Sequence, residues 1–227
     1  MDLEQKLAQT LAVLRGIEAE YSPAMFANSF GAEDMVITDL IARHGLDIGV
    51  FSLDTGRLPA ETYDLMATVR QAYPTTQVVT FFPSAASVEH YVNTHGINAF
   101  YESVAMRKEC CRIRKLEPLA RALAGKKAWI TGLRREQSPT RTDMAHQEWD
   151  EGNGLAKFNP LLEWTEKEVW AYLRGNNVPY NKLHDQFYPS IGCAPCTRSV
   201  ALGEDVRAGR WWWENPEFKE CGLHAKA

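Results

Sequence analysis

The sequence predicts an α/β protein built on an open, mostly parallel twisted sheet with helices on both faces, followed by a mobile C-terminal tail. Three observations predict it. Short apolar runs bounded by turn signals recur at Ala24 to Asn28, Ile48 to Leu53, Gln77 to Phe82 and Ala128 to Gly132, the length and composition of buried strands. Helical apolar spacing fills the stretches between or after them, the alternation that yields parallel strands joined by crossover helices. A chain of 227 residues, 45% of them hydrophobic, supports one good core but is tight for two, so a single domain over 1–210 and a tail over 211–227 are expected.

The elements follow in order. Met1-Asp2-Leu3-Glu4-Gln5-Lys6-Leu7 opens a charged amphipathic helix. Asp34 to His44 sets Met35, Ile37, Leu40 and Ile41 on one side with Gly45 as the stop, and Ile113 to Leu123 repeats the pattern with Gly125 behind it, as crossover helices do. In Thr165-Glu166-Lys167-Glu168 the hydroxyl and the second carboxylate can each accept from the other's backbone N–H, a capping box that starts a helix running to about Arg174. Asn176 to Gly192 reads as irregular chain. After Arg210 the run Trp211-Trp212-Trp213-Glu214-Asn215-Pro216 breaks the pattern; the tryptophans read as packing groups, and the short polar remainder as the tail. No internal repeat and no low-complexity segment is present.

The formal charge of -4 gives no global attraction to nucleic acid or anionic membranes, so any anion must be held by a local cluster of Arg and Lys. No stretch approaches the roughly 20 apolar residues of a membrane span, and nothing resembles a signal peptide. The expected location is cytoplasmic and reducing, with no nucleic acid and no membrane as partner. A homo-oligomer is compatible with the sequence and not specified by it.

In an open parallel sheet ligands sit beyond the carboxyl ends of the strands, where loops run into helix N-termini and unpaired amides attract anions. Three loops fall there: Ser29-Phe30-Gly31-Ala32-Glu33-Asp34, Leu53-Asp54-Thr55-Gly56-Arg57, and Thr131 to Arg141 with Arg134 and Arg135. Each alone reads equally as an ordinary turn or a solvated basic surface. Three at successive strand ends favour a nucleotide site, with Ser29, Gly31, Asp54, Arg57 and Arg141 as candidate ligand contacts.

The five cysteines comprise an adjacent pair, Cys110-Cys111, a C-x-x-C at Cys193 and Cys196, and Cys221 alone. Four thiolates from two short segments can complete the shell of zinc or of an iron-sulfur cluster, because polarizable sulfur suits soft metals. A disulfide framework is disfavoured by the odd count and by a length that needs no staples. The fifth cysteine is then a spare thiol, a candidate reagent.

Taken together, Lys108-Glu109-Cys110-Cys111-Arg112-Ile113-Arg114-Lys115, Ile191-Gly192-Cys193-Ala194-Pro195-Cys196-Thr197, Arg207-Ala208-Gly209-Arg210-Trp211-Trp212 and Lys219-Glu220-Cys221-Gly222-Leu223-His224 closely resemble thioredoxin-dependent adenylyl-sulfate reductases, from about Ser22 to the end. The first loop is similar to that superfamily's modified pyrophosphate loop, and Leu53 to Arg57 resembles its adenosine-contacting loop. The resemblance implies an adenine nucleotide alpha-hydrolase-like fold, a 4Fe-4S cluster on Cys110, Cys111, Cys193 and Cys196, and Cys221 as nucleophile. It also implies that Lys115, Arg207 and Arg210 hold the phosphosulfate, with His224 at the motif's last position and Arg141 as a weaker candidate. Departures from the wider superfamily are informative. Its ATP-using members show Ser-Gly-Gly-x-Asp-Ser where this chain has Ser29-Phe30-Gly31-Ala32-Glu33-Asp34, which disfavours pyrophosphate and ATP-driven tRNA thiolation. Reductases of the 3'-phosphorylated substrate usually lack the four cysteines, which favours plain adenylyl sulfate here.

The chemistry implied is attack of a Cys221 thiolate on the sulfur of adenylyl sulfate, expelling AMP and leaving an enzyme thiosulfonate. Lys219 and His224 are near enough in sequence to lower the thiol pKa. No other cysteine remains to resolve Cys221, so an outside dithiol, thioredoxin, is required to release sulfite. Since that partner supplies both electrons, the cluster's expected part is to tune electrostatics or order the site. Two rivals stand beside this reading: a zinc-bearing ATP-dependent tRNA-thiolating enzyme, and a noncatalytic nucleotide or redox sensor.

Overall fold

The computed structural model describes residues 2–137 and 143–215. Its elements are α1 (Leu3–Glu20), β1 (Ala24–Ala27), α2 (Ala32–His44), β2 (Gly49–Leu53), α3 (Ala60–Ala72), β3 (Val78–Phe81), α4 (Ala85–His95), α5 (Val104–Cys111), α6 (Glu117–Leu123), β4 (Ala128–Ile130), β5 (Gln147–Asp150), β6 (Leu155–Phe158) and α7 (Glu166–Gly175), with a π-helical stretch, Arg112–Leu116, joining α5 to α6. The strands form one sheet in the order β3-β2-β1-β4-β6-β5. β1 lies parallel to both β2 (Phe26 opposite Val50) and β4 (Phe26 opposite Ile130), and β6 extends the parallel set beside β4. The α/β reading is therefore met. Ala24, Met25 and Phe26 of β1 and all of β4 are buried, as expected of parallel strands covered on both faces.

β5 was not anticipated. It runs antiparallel to β6, and its residues Gln-Glu-Trp-Asp show no apolar run; they suit an edge, where charged side chains discourage further pairing. β6 is hidden in the sequence by Lys157, whose ammonium bonds Glu148 at 2.7 Å and lies 5.6 Å from the Trp129 ring centre. The expected helix from Ile113 is the C-terminal half of a longer run. It starts at Val104, where Ser103 caps by accepting from the Met106 N–H, and passes through the π turn before ending at Leu123.

The chain divides into two compact units. The first comprises Met1–Ser52, Ala60–Val79 and Leu123–Lys182. Its core packs β1, β4 and β6 side chains against Leu14 and Ile17 of α1, Met35, Ile37 and Leu40 of α2, and Val169 and Leu173 of α7, each such side chain stabilising by roughly 1.5–3 kcal/mol. α2 is buried without interruption from Asp34 to Ile41 and stops at Gly45 with φ 58°. Within it Asp39, fully buried, accepts hydrogen bonds from Tyr73 (2.8 Å), Tyr172 (2.7 Å) and Arg43 (2.8 Å), so a charge that burial penalises is offset by three donors. α7 opens with the anticipated Thr165–Glu168 capping box.

The second unit comprises Leu53–Pro59, Thr80–Ala122 and Leu183–Ala227. A smaller core of Tyr91, Ala99 and Ile113, with Val88, Val92 and Met106 against it, holds α4 to α5 and the π turn. It contains all four described cysteines.

Candidate functional site

In the first unit the strand order reverses at β1 and β4, and the loop after β1 is held in an unusual conformation. Phe30 is buried at φ 62°, a region a bulky residue enters only at a cost of about 1–3 kcal/mol, and its N–H donates to the Asn28 side chain at 2.6 Å. Asp34 ties the loop together, accepting from the Ser29 N–H and hydroxyl at 2.6 Å each. Gly132, after β4, donates its backbone N–H to the same carboxylate, and a Cβ there would run into it. Burial pushes Asp34 up to about 7, against the pull of those donors. Ser29 is exposed but gives both its donors to Asp34, and Gly31 caps the N-terminus of α2. Arg134, by contrast, is buried and bonded to Glu33 at 2.8 Å, which makes it a structural cation. Arg141 lies outside the described residues.

In the second unit ten of the described residues line one cavity: Arg57, Phe100, Arg107, Cys110, Cys111, Arg114, Lys115, Cys193, Pro195 and Cys196. The helical run explains half of them. Cys110 and Arg114, Cys111 and Lys115, and Arg107 and Cys111 are each four residues apart, hence neighbours on a helix surface, and the π turn that follows the cysteines is a feature frequent at functional sites. Cys193 and Cys196 flank a 3-10 turn, Ala194–Cys196. Thr197 fastens it, donating to the Cys193 carbonyl at 3.0 Å while accepting from Gly192 N–H at 3.1 Å.

The loop after β2 closes the cavity. The Thr55 hydroxyl lies 3.2 Å from the Cys193 sulfur, the Arg57 carbonyl accepts from Ala194 N–H at 2.8 Å, and Arg114 donates to the Thr55 carbonyl at 2.6 Å. Arg57 stacks over Phe100, 5.0 Å from the ring centre. Asp54 does not face the cavity; it is buried and accepts from Gly56 N–H at 2.7 Å, shaping the loop.

None of the four described cysteines is in a disulfide. Burial pushes the Cys196 thiol up to about 12 against the neighbouring Lys115 and Arg210, and raises Cys110 despite Arg114. Arg107 also hydrogen-bonds Cys111. Among the described residues no three His, Cys, Asp or Glu side chains converge closely enough to hold one metal ion.

The structure thus brings Cys110, Cys111, Cys193, Cys196, Lys115 and Arg57 around one space. Arg210 is beside it, buried, 4.7 Å from the Trp211 ring centre and bonded through Nη1 to Ser190 Oγ at 3.2 Å; among the described residues its Nε has no hydrogen-bond partner. Arg207 is half-buried in the preceding turn and is not among the cavity-lining residues. Cys221 and His224 lie outside the described residues. Trp211 is buried and Trp212 exposed. Arg114 and Thr55 stood within segments the sequence singled out but were given no role of their own, and Arg107 and Phe100 were not candidates. The two arginines carried a signal, the four-residue spacing from a cysteine; Phe100 carried none.

A family model described as the phosphoadenosine phosphosulfate reductase domain matches residues 23–199. A protein of Allochromatium vinosum named adenosine 5'-phosphosulfate reductase is 54% identical over 224 residues, covering 99% of this chain and 87% of its own. One of the same name from Neisseria meningitidis serogroup A is 56% identical over 211 residues, covering 93% and 86%. Among solved structures, a phosphoadenylyl-sulfate reductase of Candida auris in a phosphate complex superposes with a TM-score of 0.72 at 29% identity, over 85% of this chain and 90% of that one. A Candida glabrata FMN adenylyltransferase, with a TM-score of 0.62 at 13% identity over 96% and 76%, shares the fold alone.

Proposed function

We propose that this chain, which belongs to the phosphoadenosine phosphosulfate reductase family, reduces adenylyl sulfate to sulfite and AMP with electrons from thioredoxin. One observation carries the reading furthest: four cysteines from two segments share a cavity with Arg57, Arg107, Arg114 and Lys115.

The donor set fits a 4Fe-4S cluster on Cys110, Cys111, Cys193 and Cys196. A polynuclear cluster is held at its corners and asks for a space between the thiolates. When bound it supplies a fixed local charge that tunes the site, since a dithiol partner brings both electrons.

In this reading the loops of Ser29, Gly31 and Arg57 position the nucleotide, Asp54 acting only by shaping the loop that carries Arg57, and Lys115, Arg207, Arg210, Arg141 and His224 offset the phosphosulfate charge so that an anionic nucleophile can approach. The Cys221 thiolate forms a bond to the sulfate sulfur while the sulfur–oxygen bond to phosphate breaks, and AMP leaves with the electron pair. A thioredoxin thiolate then attacks the Cys221 sulfur and sulfite departs with the pair; the partner's second thiol resolves the mixed disulfide, so the dithiol is oxidised by two electrons as sulfur is reduced by two. The expected setting is a reducing cytoplasm; among the described residues no helix is long and apolar enough to cross a membrane.

The experiment is an anaerobic assay of sulfite release with thioredoxin, comparing adenylyl sulfate with its 3'-phosphorylated form on protein whose iron and zinc are counted. Iron-bound turnover preferring adenylyl sulfate is expected. The Candida auris likeness favours a second reading, the same chemistry on the 3'-phosphorylated form, which a reversed preference would establish. No sulfite from either substrate, with zinc bound, refutes both.

A further inference from the structure

Arg107 is fully buried, yet it is not a ligand and the mechanism above does not use it. Its guanidinium makes a bidentate pair with Glu214, Nε to Oε1 at 2.9 Å and Nη2 to Oε2 at 2.8 Å, with side chains 1% and 3% exposed. It also lies 4.7 Å from the Trp211 ring centre and hydrogen-bonds Cys111. Five residues along, Arg112 pairs with Glu109 and Glu117 in the open, 49% exposed, an arrangement of little energetic consequence. A buried pair is different: its desolvation cost offsets most of its attraction, so apolar residues would stabilise as well, and what the pair adds is a unique geometry.

What it fixes is informative. Glu214 stands seven residues before Cys221, which at most about 3.6 Å per residue keeps the nucleophile within roughly 25 Å of this anchor. At the other end Arg107 sits on α5, one helical turn before Cys111, and Trp211 N–H donates to the Cys196 carbonyl at 3.1 Å. Both cysteine segments therefore hold the short turn from which the Cys221 segment departs. We infer that Arg107 is a positioning residue, which through Glu214 fixes the root of the nucleophile's segment to the helix of the cysteine pair. The inference rests on the reductase reading and adds to it a residue that touches neither substrate nor the reacting atoms.

The test uses the iron-loaded full chain with Glu214→Gln, which keeps the shape and removes the charge, and Arg107→Lys, which keeps the charge and removes the fork. Two readouts are taken per iron-loaded chain: sulfite release resolved into kcat and KM, and tryptic cleavage of the buried Arg210–Trp211 bond followed by mass, which reports local opening without reference to activity. Both variants are expected to lose at least about tenfold in kcat, the scale of misplacing a reacting group by a fraction of an ångström to an ångström. KM for adenylyl sulfate stays within about threefold, iron content is unchanged, and cleavage after Arg210 is about tenfold faster. A change in kcat without faster cleavage, faster cleavage with unchanged kcat, a rise in KM alone, or iron lost in step with activity each overturns the inference. A wild type that releases no sulfite defeats the functional reading and this inference with it, whereas an active wild type beside indifferent variants defeats the inference alone.

Discussion

Replacing Gly192 by Ala adds one methyl group at the start of the C-x-x-C turn, and the structure says where it goes. The new Cβ would lie 2.7 Å from Cζ and 3.1 Å from Nε of Arg210, roughly 1 Å inside carbon contact distance. An exposed arginine would swing aside at little cost. Arg210 is only 8% exposed, stacked on Trp211, and bonded to Ser190 Oγ and, at 3.4 Å, the Ile191 carbonyl. Moving it breaks charged hydrogen bonds worth about 1.5–3 kcal/mol each, or else overpacks the turn at about 1–3 kcal/mol. A loss of about 2 kcal/mol is expected, which for a chain of this size lowers Tm by about 4–8 °C. Because Arg210 is proposed to face the phosphosulfate, a shift near 1 Å should also lower kcat/KM for adenylyl sulfate at least about tenfold. Thermal melts and anaerobic sulfite release on matched iron-loaded protein measure both. The decisive control is Arg210→Ala with and without Gly192→Ala. If the clash is the cause, the glycine substitution costs almost nothing once the guanidinium is gone, a coupling that a double-mutant cycle reads directly. A Gly192→Ala protein with wild-type Tm and kcat/KM, or a cycle that closes additively, refutes the argument.

Asp34, ordinarily near 3.8 and raised to about 7 by burial, binds a proton in the folded state that the unfolded chain has released. Its favourable contribution is complete below the unfolded value and is lost as pH rises through about 7, a change of about 4 kcal/mol; the stability of Asp34→Asn relative to wild type should therefore rise between pH 4 and 8, and a flat difference counts against a buried neutral carboxyl. Tyr172→Phe removes one of the donors to the fully buried Asp39 and is expected to destabilise by about 1–3 kcal/mol, seen as a lower Tm with unchanged kcat; an unshifted melt would mean that Tyr73 and Arg43 satisfy the carboxylate alone. Cys221→Ser should abolish sulfite release while leaving iron content and adenylyl sulfate binding by calorimetry near wild type, and sulfite from that variant would remove Cys221 from the reaction. Cys193→Ala should lower iron per chain, and full iron occupancy would displace it from the proposed ligand set.

The parts of this molecule legible in the sequence are those written in local signals. Four strands, the Gly45 stop and the Thr165–Glu168 cap appear where apolar period and capping chemistry place them. β5 and β6 were not legible, because Trp149 and Lys157 take their places through cross-strand pairing and a cation over a ring, which are nonlocal. The site divides in the same way. The cysteine spacings announced a common centre, and the cavity gathers all four with Lys115 and Arg57. The bonds that hold it, Thr55 to Cys193, Arg114 to Thr55 and Arg107 to Glu214, span 59 to 138 residues and leave no trace in residue spacing.

Charge explains why those long-range bonds gather where they do. The chain as a whole is acidic at -4, yet among the described residues the lining of this cavity includes four cationic side chains and no carboxylate. Four cations in a partly buried space repel one another unless anions enter it. Cys196 cannot serve unaided: burial pushes it up to about 12 against the pull of Lys115 and Arg210. On the proposed reading a metal held here would keep the sulfurs as thiolates, and Arg114 and Lys115, at four-residue spacing from the cysteine pair, would stand beside that charge. Arg107 is further balanced by Glu214 and Arg114 by a carbonyl. A cluster of cations beside four cysteines is what the proposed metal centre and anionic substrate would call for.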